Sequence, residues 1–454
     1  MNRSAFFQQL FDSIADRGRE LVGRRPSNGD RSALGLSGQC RDLLTQTGEA
    51  SAAALAQDVI RAYRDLDPGE QQRFFSFLAN ELSPDPAAVA VAAESYCRVP
   101  TVDSLAELIR VAEPPRQELF RRMNMASGGT ATLVALRASL LDQLEEFPEL
   151  RVVDNDLLHL FSSWFNRGFL TLERVDWRAP ALLLEKLIEY EAVHAIQGWE
   201  DLRRRLAADR RCFAFFHPAL PDEPLIFVEV ALVKGMAASI QPLIASDDQP
   251  HDPATADAAI FYSISNCQKG LRGVSFGSFL IKQVAAELRD ELPNLKTFAT
   301  LSPVPGFRRW LAALRHNLPV PASVEPPIEA FGQTLARLDE VDRLPDPAPA
   351  EDLRRPVLAL CAYYLLYAKR SDGLPDDAVA RFHLGNGARL ERANWLGDSS
   401  PKGLRQSAGI MVNYLYQLDQ LERNHEAFVN RKQVVAARAV AQLAKAAPLL
   451  RPRP

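Results

Sequence analysis

Between residues 258 and 302 an apolar strand, a glycine-punctuated turn, an amphipathic helix and a second apolar strand follow one another. This unit limits the fold more than any other part of the chain. "AAIFYSIS" (258–265) and "LKTFATLS" (295–302) have the β-branched and aromatic content of strands, and "FGSFLIKQVAAELRDEL" (276–292) has helical spacing. A helix between two strands implies a mixed sheet with the helix packed on it. The connecting stretch "SNCQKGLRGVSFGSFLIK" carries Gly270, Gly273 and Gly277. Glycine there allows positive φ and close backbone approach, and the unpaired N–H groups of the helix start point back into the turn. Such a turn suits a pyrophosphate, with Lys269 and Arg272 adding positive charge. The P-loop pattern GxxxxGK[ST] is absent. The Rossmann pattern GxGxxG also fails, because the spacing here is GxxGxxxG.

The two halves differ in texture. Up to about residue 160 the apolar spacing is helical, as in "SAAALAQDVIRAYRDL", "QQRFFSFLANEL" and "TVDSLAELIRVA". Thr101 and Asp103 are cap candidates for the last of these, and "SGGTATLVALRASLLDQLEEF" reads as another capped helix. The N-terminal "MNRSAFFQQLFDSIADRGRELVGRR" reads as a first helix of the fold, because its acids are unlike a transit peptide. This half suggests packing and oligomerisation, and nothing in it points to chemistry. Beyond 160, "RCFAFFH" (211–217) and "LIFVEVALV" (225–233) read as antiparallel strands joined by the Pro-rich "HPALPDEP". "DRLPDPAPAEDLRRP" (342–356) reads as a linker, and the basic last 32 residues read as a solvated face covering the domain. The fold class is therefore α+β, a helical bundle over 1–160 followed by a mixed sheet-and-helix domain over 161–454.

Composition narrows the function. The 454 residues carry a net charge of −4, so no global basic field for nucleic acid exists. No apolar run reaches membrane-spanning length. The five cysteines form no CxxC pair and their number is odd, which predicts a reducing, cytoplasmic setting. No HExxH and no close His/Cys pair of metal-ligand spacing is present.

"RGVSFGSFLIKQV" resembles the acyl-CoA-binding turn of the GNAT acetyltransferase superfamily, R-G-x-G-x-G/A, with Ser275 in place of the middle glycine. A closer resemblance covers roughly residues 160–450. "FYSISNCQKGLRGVSFGSFLIK", "LSPVPGF", "FHLGNGARLERANWLGD" and "GIMVNYLY", in this order, resemble the malonyl-CoA decarboxylase family. The resemblance implies a GNAT-like catalytic domain, malonyl-CoA as substrate, acetyl-CoA as product and a homotetramer. It implies catalytic roles for Ser302, His383 and Tyr416. It implies coenzyme A contacts at Arg272, Gly273, Val274, Ser275, Phe276, Gly277, Ser278 and Ile281. In the superfamily the pantetheine lies between two strands that splay apart, here 258–265 and 295–302.

Loss of CO2 from malonyl-CoA leaves a thioester enolate that must be stabilised and protonated. Thioesters stabilise such enolates well, so neither metal nor organic cofactor is expected. Ser302 and His383 are expected to hold the carboxylate and deliver the proton, with Tyr416 donating to an acyl or thioester oxygen. Replacing His383 is expected to remove a limb of the pH–rate profile. Without the resemblance, Ser302 reads as a turn or cap residue beside Pro303, Pro305 and Gly306. His383 then reads as a structural hydrogen-bonder, though its Gly- and Asn-rich turn is of a kind that often carries function. His217 reads as structural and Cys267 as a packed thiol. Three other readings use the same residues: an N-acyltransferase, a coenzyme A thioesterase with Ser302 as nucleophile, and a non-catalytic acyl-CoA-binding protein.

Overall fold

A computed structural model describes residues 32–245, 249–274, 276, 280–315, 336–338 and 351–447. The first predicted helix, most of the predicted linker and the last seven residues lie outside them, as do Ser275, Gly277 and Ser278. Two compact units are present. One comprises Met1–Thr171 with Phe215–Leu225 and Asn266–Phe276, and the other comprises Leu172–Ala214, Ile226–Ser265 and Gly277–Pro454.

In the first unit eight α-helices are described: α1 Ala33–Thr45, α2 Glu49–Arg64, α3 Pro68–Asn80, α4 Pro86–Arg98, α5 Val102–Ala112, α6 Pro115–Asn124, α7 Gly129–Gln143 and α8 Arg151–Trp164. Their starts follow local chemistry. Asp67 and Asp85 cap α3 and α4, each with proline at the first position. Thr101 and Ser104 form a reciprocal capping box on α5, so Asp103 supplies first-turn charge and Ser104 completes the cap. α7 differs from expectation. It begins at Gly128 in the left-handed region, without a side-chain cap. Phe74, Phe75, Leu119, Phe120, Leu133, Leu136 and Phe161 are fully buried and form the centre of this unit.

The glycine turn Asn266–Phe276 belongs to this helical unit, which sequence periodicity did not anticipate. Lys269–Leu271 forms a 3-10 turn. The backbone of Gly270 lies so close to α7 that a Cβ there would collide with the carbonyl of Val134. Gly273 adopts φ +86°, open to glycine without penalty. Arg137 on α7, 2% exposed, donates from one terminal nitrogen to the carbonyls of Gly270 and Arg272, both at 2.8 Å. Its Nε is paired with Asp154 at 2.7 Å. Lys269 is ion-paired with Asp142, which offsets charge the sequence assigned to the turn.

The second unit is built on a sheet, part of whose second and third strands (Phe215–Leu225) is counted in the first. Its elements are β1 Thr171–Val175, α9 Ala181–Tyr190, α10 Trp199–Arg205, β2 Arg210–His217, β3 Leu220–Val233, α11 Gln241–Ile244, β4 Ala258–Asn266, α12 Leu280–Glu291, β5 Thr297–Thr300, β6 Ser302–Pro303, α13 Phe307–Arg315, α14 Glu351–Tyr367, α15 Ala378–Gly385, β7 Arg389–Asn394, α16 Pro401–Ser407, β8 Met411–Leu415, α17 Leu421–Arg431 and α18 Arg438–Lys445. The order is β1-β2-β3-β4-β5-β8-β6, with β7 also on β8. β2 and β3 join through Pro218 and Ala219 alone, so the connection is tighter than the predicted Pro-rich loop and the pair is antiparallel. β3 runs through Pro221 and Pro224, with Asp222 at φ +62°. Helix α14 begins at Glu351 and contains Pro356, so the predicted linker ends earlier than its proline pattern implied.

β5 pairs with β4 in parallel, from Ala258↔Thr297 to Phe261↔Thr300. The N–H of Leu301 still reaches the carbonyl of Phe261 at 3.0 Å. After that the chain keeps its antiparallel partner β8, through Ala299↔Leu415 and then Ser302↔Val412, while β4 runs on to Asn266 without it. The predicted single strand 295–302 is thus two strands, and the two flanking strands part at Thr300. Ala231, Ile260, Tyr262, Ala299, Leu301 and Met411 pack on one face.

Arg137→Met retains the stem's packing but leaves two carbonyls and a carboxylate without their donor. We expect a loss of about 3 kcal/mol or more, from the cost of breaking a buried ion pair by removing one partner. Urea unfolding should show a lower midpoint with an unchanged slope, and an unchanged midpoint would refute the role given to Arg137.

Candidate active site

Ser302, His383 and Tyr416 lie far apart in sequence and are brought into one hydrogen-bonded row. Ser302 Oγ lies 3.0 Å from His383 Nε2, and His383 Nδ1 lies 2.8 Å from the hydroxyl of Tyr416. All three residues are buried. Ser302 sits on β6, a strand position; the Pro-rich turn begins after it. His383 lies in the last turn of α15, not in the Gly/Asn turn that follows. Tyr416 follows β8 directly, and its N–H donates to the carbonyl of Phe298 at 2.8 Å.

The neighbouring residues hold these side chains still. The ring of Tyr414 stacks on His383, with centroids 4.6 Å apart and planes at 25°. Asp377 caps α15 through Ala380 N at 2.9 Å, and its other oxygen accepts from Gly306 N at 3.3 Å. One buried carboxylate thus joins the helix carrying His383 to the turn after Ser302. Val304 N donates to Ser407 Oγ at 3.0 Å, fixing that turn from α16 as well. Asn413, fully buried, donates to the carbonyl of Thr300 at 2.7 Å and accepts from Asn394 and Arg392.

The direction of the hydrogen bonds follows from Thr300. Its hydroxyl oxygen accepts from Tyr414 N at 3.2 Å and from Ser302 Oγ at 2.9 Å. Serine has a single proton; assigned to Thr300, it leaves the bond between Ser302 and His383 to be donated by Nε2–H. A neutral imidazole protonated at Nε2 has a bare Nδ1, which accepts from Tyr416. The tautomer is assigned from these partners.

The imidazole is neutral for a physical reason. A helix C-terminus favours its cationic form. Complete burial opposes this and prevails, lowering the pKa to about 3. The phenol of Tyr416 is pushed well above its ordinary value by burial, so it retains its proton. Two expectations are sharpened as a result. A pH–rate limb from His383 would fall in strong acid. The Tyr416 hydroxyl is engaged by His383 and would have to exchange that contact to reach a substrate oxygen.

Of the expected coenzyme A contacts, Arg272 is exposed, while Val274 and Phe276 are buried in the turn. Ile281 is buried on α12. Ser275, Gly277 and Ser278 lie outside the described residues. Sequence reasoning missed Thr300, Asp377, Arg137 and Glu191. Glu191 accepts from Ser263 Oγ at 2.8 and 2.7 Å and from Ser265 Oγ at 3.0 Å, on the stretch of β4 that β5 has left. Arg137 had a signal, since it falls on the apolar stripe of its helix among Leu133, Leu136 and Leu140. His217 packs between the rings of Phe165 and Phe169 as a structural residue. All five thiols are unbridged. The basic C-terminal region seats α17 on the end of α15 through Asn424 to Gly387 O and His425 to Gly385 O.

Burial of His383 carries a cost in acid. The unfolded imidazole titrates near its ordinary value of 6.5 and the folded one near 3, so between these the unfolded chain binds the extra proton. Stability is full above about pH 6.5 and falls as pH drops toward 3. His194 and His217 are shifted the same way. We therefore expect His383→Gln to narrow, without closing, the gap in urea midpoint between pH 7 and pH 4.5. Equal gaps in the variant and the parent would refute the assignment.

Comparison with known proteins places this geometry in a family. Residues 168–452 match the model of the malonyl-CoA decarboxylase C-terminal domain, and residues 82–165 match that of its N-terminal domain. The mitochondrial malonyl-CoA decarboxylase of Rattus norvegicus is 34% identical over 91% of this chain and 87% of its own length. That of Anser anser anser is 34% identical over 84% of this chain and 82% of its own. The crystal structure of malonyl-CoA decarboxylase from Rhodopseudomonas palustris superimposes with a TM-score of 0.86 at 50% identity, covering 90% of this chain and 99% of that one. That from Cupriavidus metallidurans gives 0.70 at 39% identity, covering 91% and 100%. With both domain models matched in order and whole-length relatives at these identities, the chain belongs to the malonyl-CoA decarboxylase family.

Proposed function

We propose that this chain converts malonyl-CoA to acetyl-CoA and CO2 through Ser302, His383 and Tyr416, without metal or organic cofactor. The observation that carries the reading is the continuous row Tyr416–His383–Ser302, ending on a serine at the point where β5 leaves β4. The acyl-pantetheine arm would enter between the parting strands, as in the GNAT architecture. Breaking the C–C bond sends its electron pair into the thioester as an enolate and releases CO2. Ser302 then rotates its hydroxyl from Thr300 to the α-carbon and gives up its proton. Nε2–H of His383 replaces that proton, and Tyr416 replaces the one leaving the ring. One solvent proton then restores Nε2–H as Nδ1 returns its proton to Tyr416, so the row regains its resting tautomer, and that solvent proton is the one the overall reaction consumes. A neutral imidazole suits this exchange, because each group gives one proton and receives one.

The same direction argues against hydrolysis. A serine nucleophile needs a base that accepts its proton, whereas here Nε2 donates to Ser302. An N-acyltransferase needs an amine and a base for it, and every ring nitrogen of His383 is already engaged. Assembly into a homotetramer is part of the proposal. It is supported by α5, which buries none of its residues, with Val102 84% and Ile109 62% exposed. Five unbridged thiols fit a reducing compartment such as the cytoplasm. No described helix is long and apolar enough to cross a membrane.

Incubation with malonyl-CoA alone tests the reading: CO2 and acetyl-CoA should appear without an acceptor. Ser302→Ala should lower kcat by roughly 100-fold or more, the contribution of a positioned proton donor. Coenzyme A should bind as before. Release of free thiol in place of CO2, or parallel loss of binding and turnover, would refute it.

A further inference from the structure

We infer that Thr300 is a positioning residue that sets the direction of proton transfer through Ser302 and His383. The inference rests on the reading of Ser302 as proton donor and adds a residue to it. Thr300 is fully buried and stands at the branch between two strand pairings. Its amide plane is fixed on one side by Asn413, at 2.7 Å from the carbonyl, and on the other by Leu301 N–H on Phe261. Its hydroxyl oxygen is held by the backbone N–H of Tyr414, a donor that cannot reverse. The same oxygen takes the proton of Ser302.

Three consequences follow from that last contact. It holds the serine side chain in one rotamer. It occupies the only serine proton until substrate arrives, so His383 cannot draw Ser302 toward an alkoxide. With the serine proton there, Nε2 carries the ring proton and Nδ1 accepts from Tyr416. Without an acceptor at position 300, the proton of Ser302 would turn to the nearest alternative, Nε2. The ring proton would then move to Nδ1 and point at Tyr416. The row would run backward, with a serine that donates to histidine and has no proton supply behind it.

The test uses the full chain, labelled with ¹⁵N-histidine, and assigns the His383 ring signals by their loss in His383→Gln. In the parent the protonated nitrogen should be Nε2. Thr300→Val keeps the shape and removes the acceptor. It should move the proton to Nδ1 and lower kcat by roughly 100-fold, with KM for malonyl-CoA changed by less than about threefold. Thr300→Ser, which restores the hydroxyl, should recover most of the loss and return the proton to Nε2. An Nδ1–H ring in the parent overturns the inference with no variant needed, which covers the case of Thr300→Val failing to fold. Thr300→Val with parental kcat and tautomer, alongside an inactive Ser302→Ala, also overturns it while leaving the proposed function standing. An active Ser302→Ala would instead remove the proposed function itself.

Discussion

The structure turns on a change of strand partner at Thr300. β5 is held on both sides, parallel to β4 and antiparallel to β8, and two residues later, at Ser302, only β8 remains. A sheet that opens in this way must satisfy the exposed strand edge by other means, because unpaired buried backbone is costly. Beside the open stretch of β4, Glu191 gathers the hydroxyls of Ser263 and Ser265. The chain that leaves is held by Asn413, Ser407 and Asp377. Those contacts supply the rigidity that the hydroxyl proposed to react needs, since the geometry of a reacting group must be fixed before substrate binds.

Burial is the second constraint, and it sets the chemistry. An imidazole at a helix C-terminus near the surface would titrate close to neutrality and act as an acid–base pair. Here desolvation outweighs the helix dipole, and the ring stays neutral through the range in which proteins work. A neutral ring flanked by two hydroxyls can pass protons but cannot hold an extra one. That favours protonation of a carbon already made basic by departing CO2. It disfavours reactions that need an imidazolium to protonate a leaving group. The same burial makes the residue a liability in acid, so its proposed role and its acid sensitivity share one cause.

How much of this could be read from the sequence depended on the range of each interaction. The helix starts at Asp67, Asp85 and Thr101, the amphipathic helix α12 and the glycine turn were legible, because propensity, capping and φ preferences are local. The family motifs identified Ser302, His383 and Tyr416, but their roles could not be read from them. The strand 295–302 looked continuous because its residues are uniformly β-forming; the division at Leu301 depends on partners more than a hundred residues away. The prolines at 221 and 224 suggested a loop where the strand passes through. His383 was placed in a turn because glycine and asparagine follow it, yet the helix ends just beyond it. The orientation of Tyr416 had no local signal.

Arg137 shows most plainly what sequence periodicity hides. Its helical half reads as packing alone, and by composition that is correct. Yet its guanidinium spans some 130 residues of sequence to hold two carbonyls of the glycine turn. A turn proposed to hold a pyrophosphate must keep its N–H groups directed at the ligand, so its carbonyls must be drawn the other way. A fork of fixed donors does this better than any flexible ammonium, and Asp154 offsets its charge so that it adds no competing field of its own. The turn's conformation is therefore set from the helical unit to which it belongs, and the helices that seemed to carry no chemistry supply the rigid side of the proposed phosphate site.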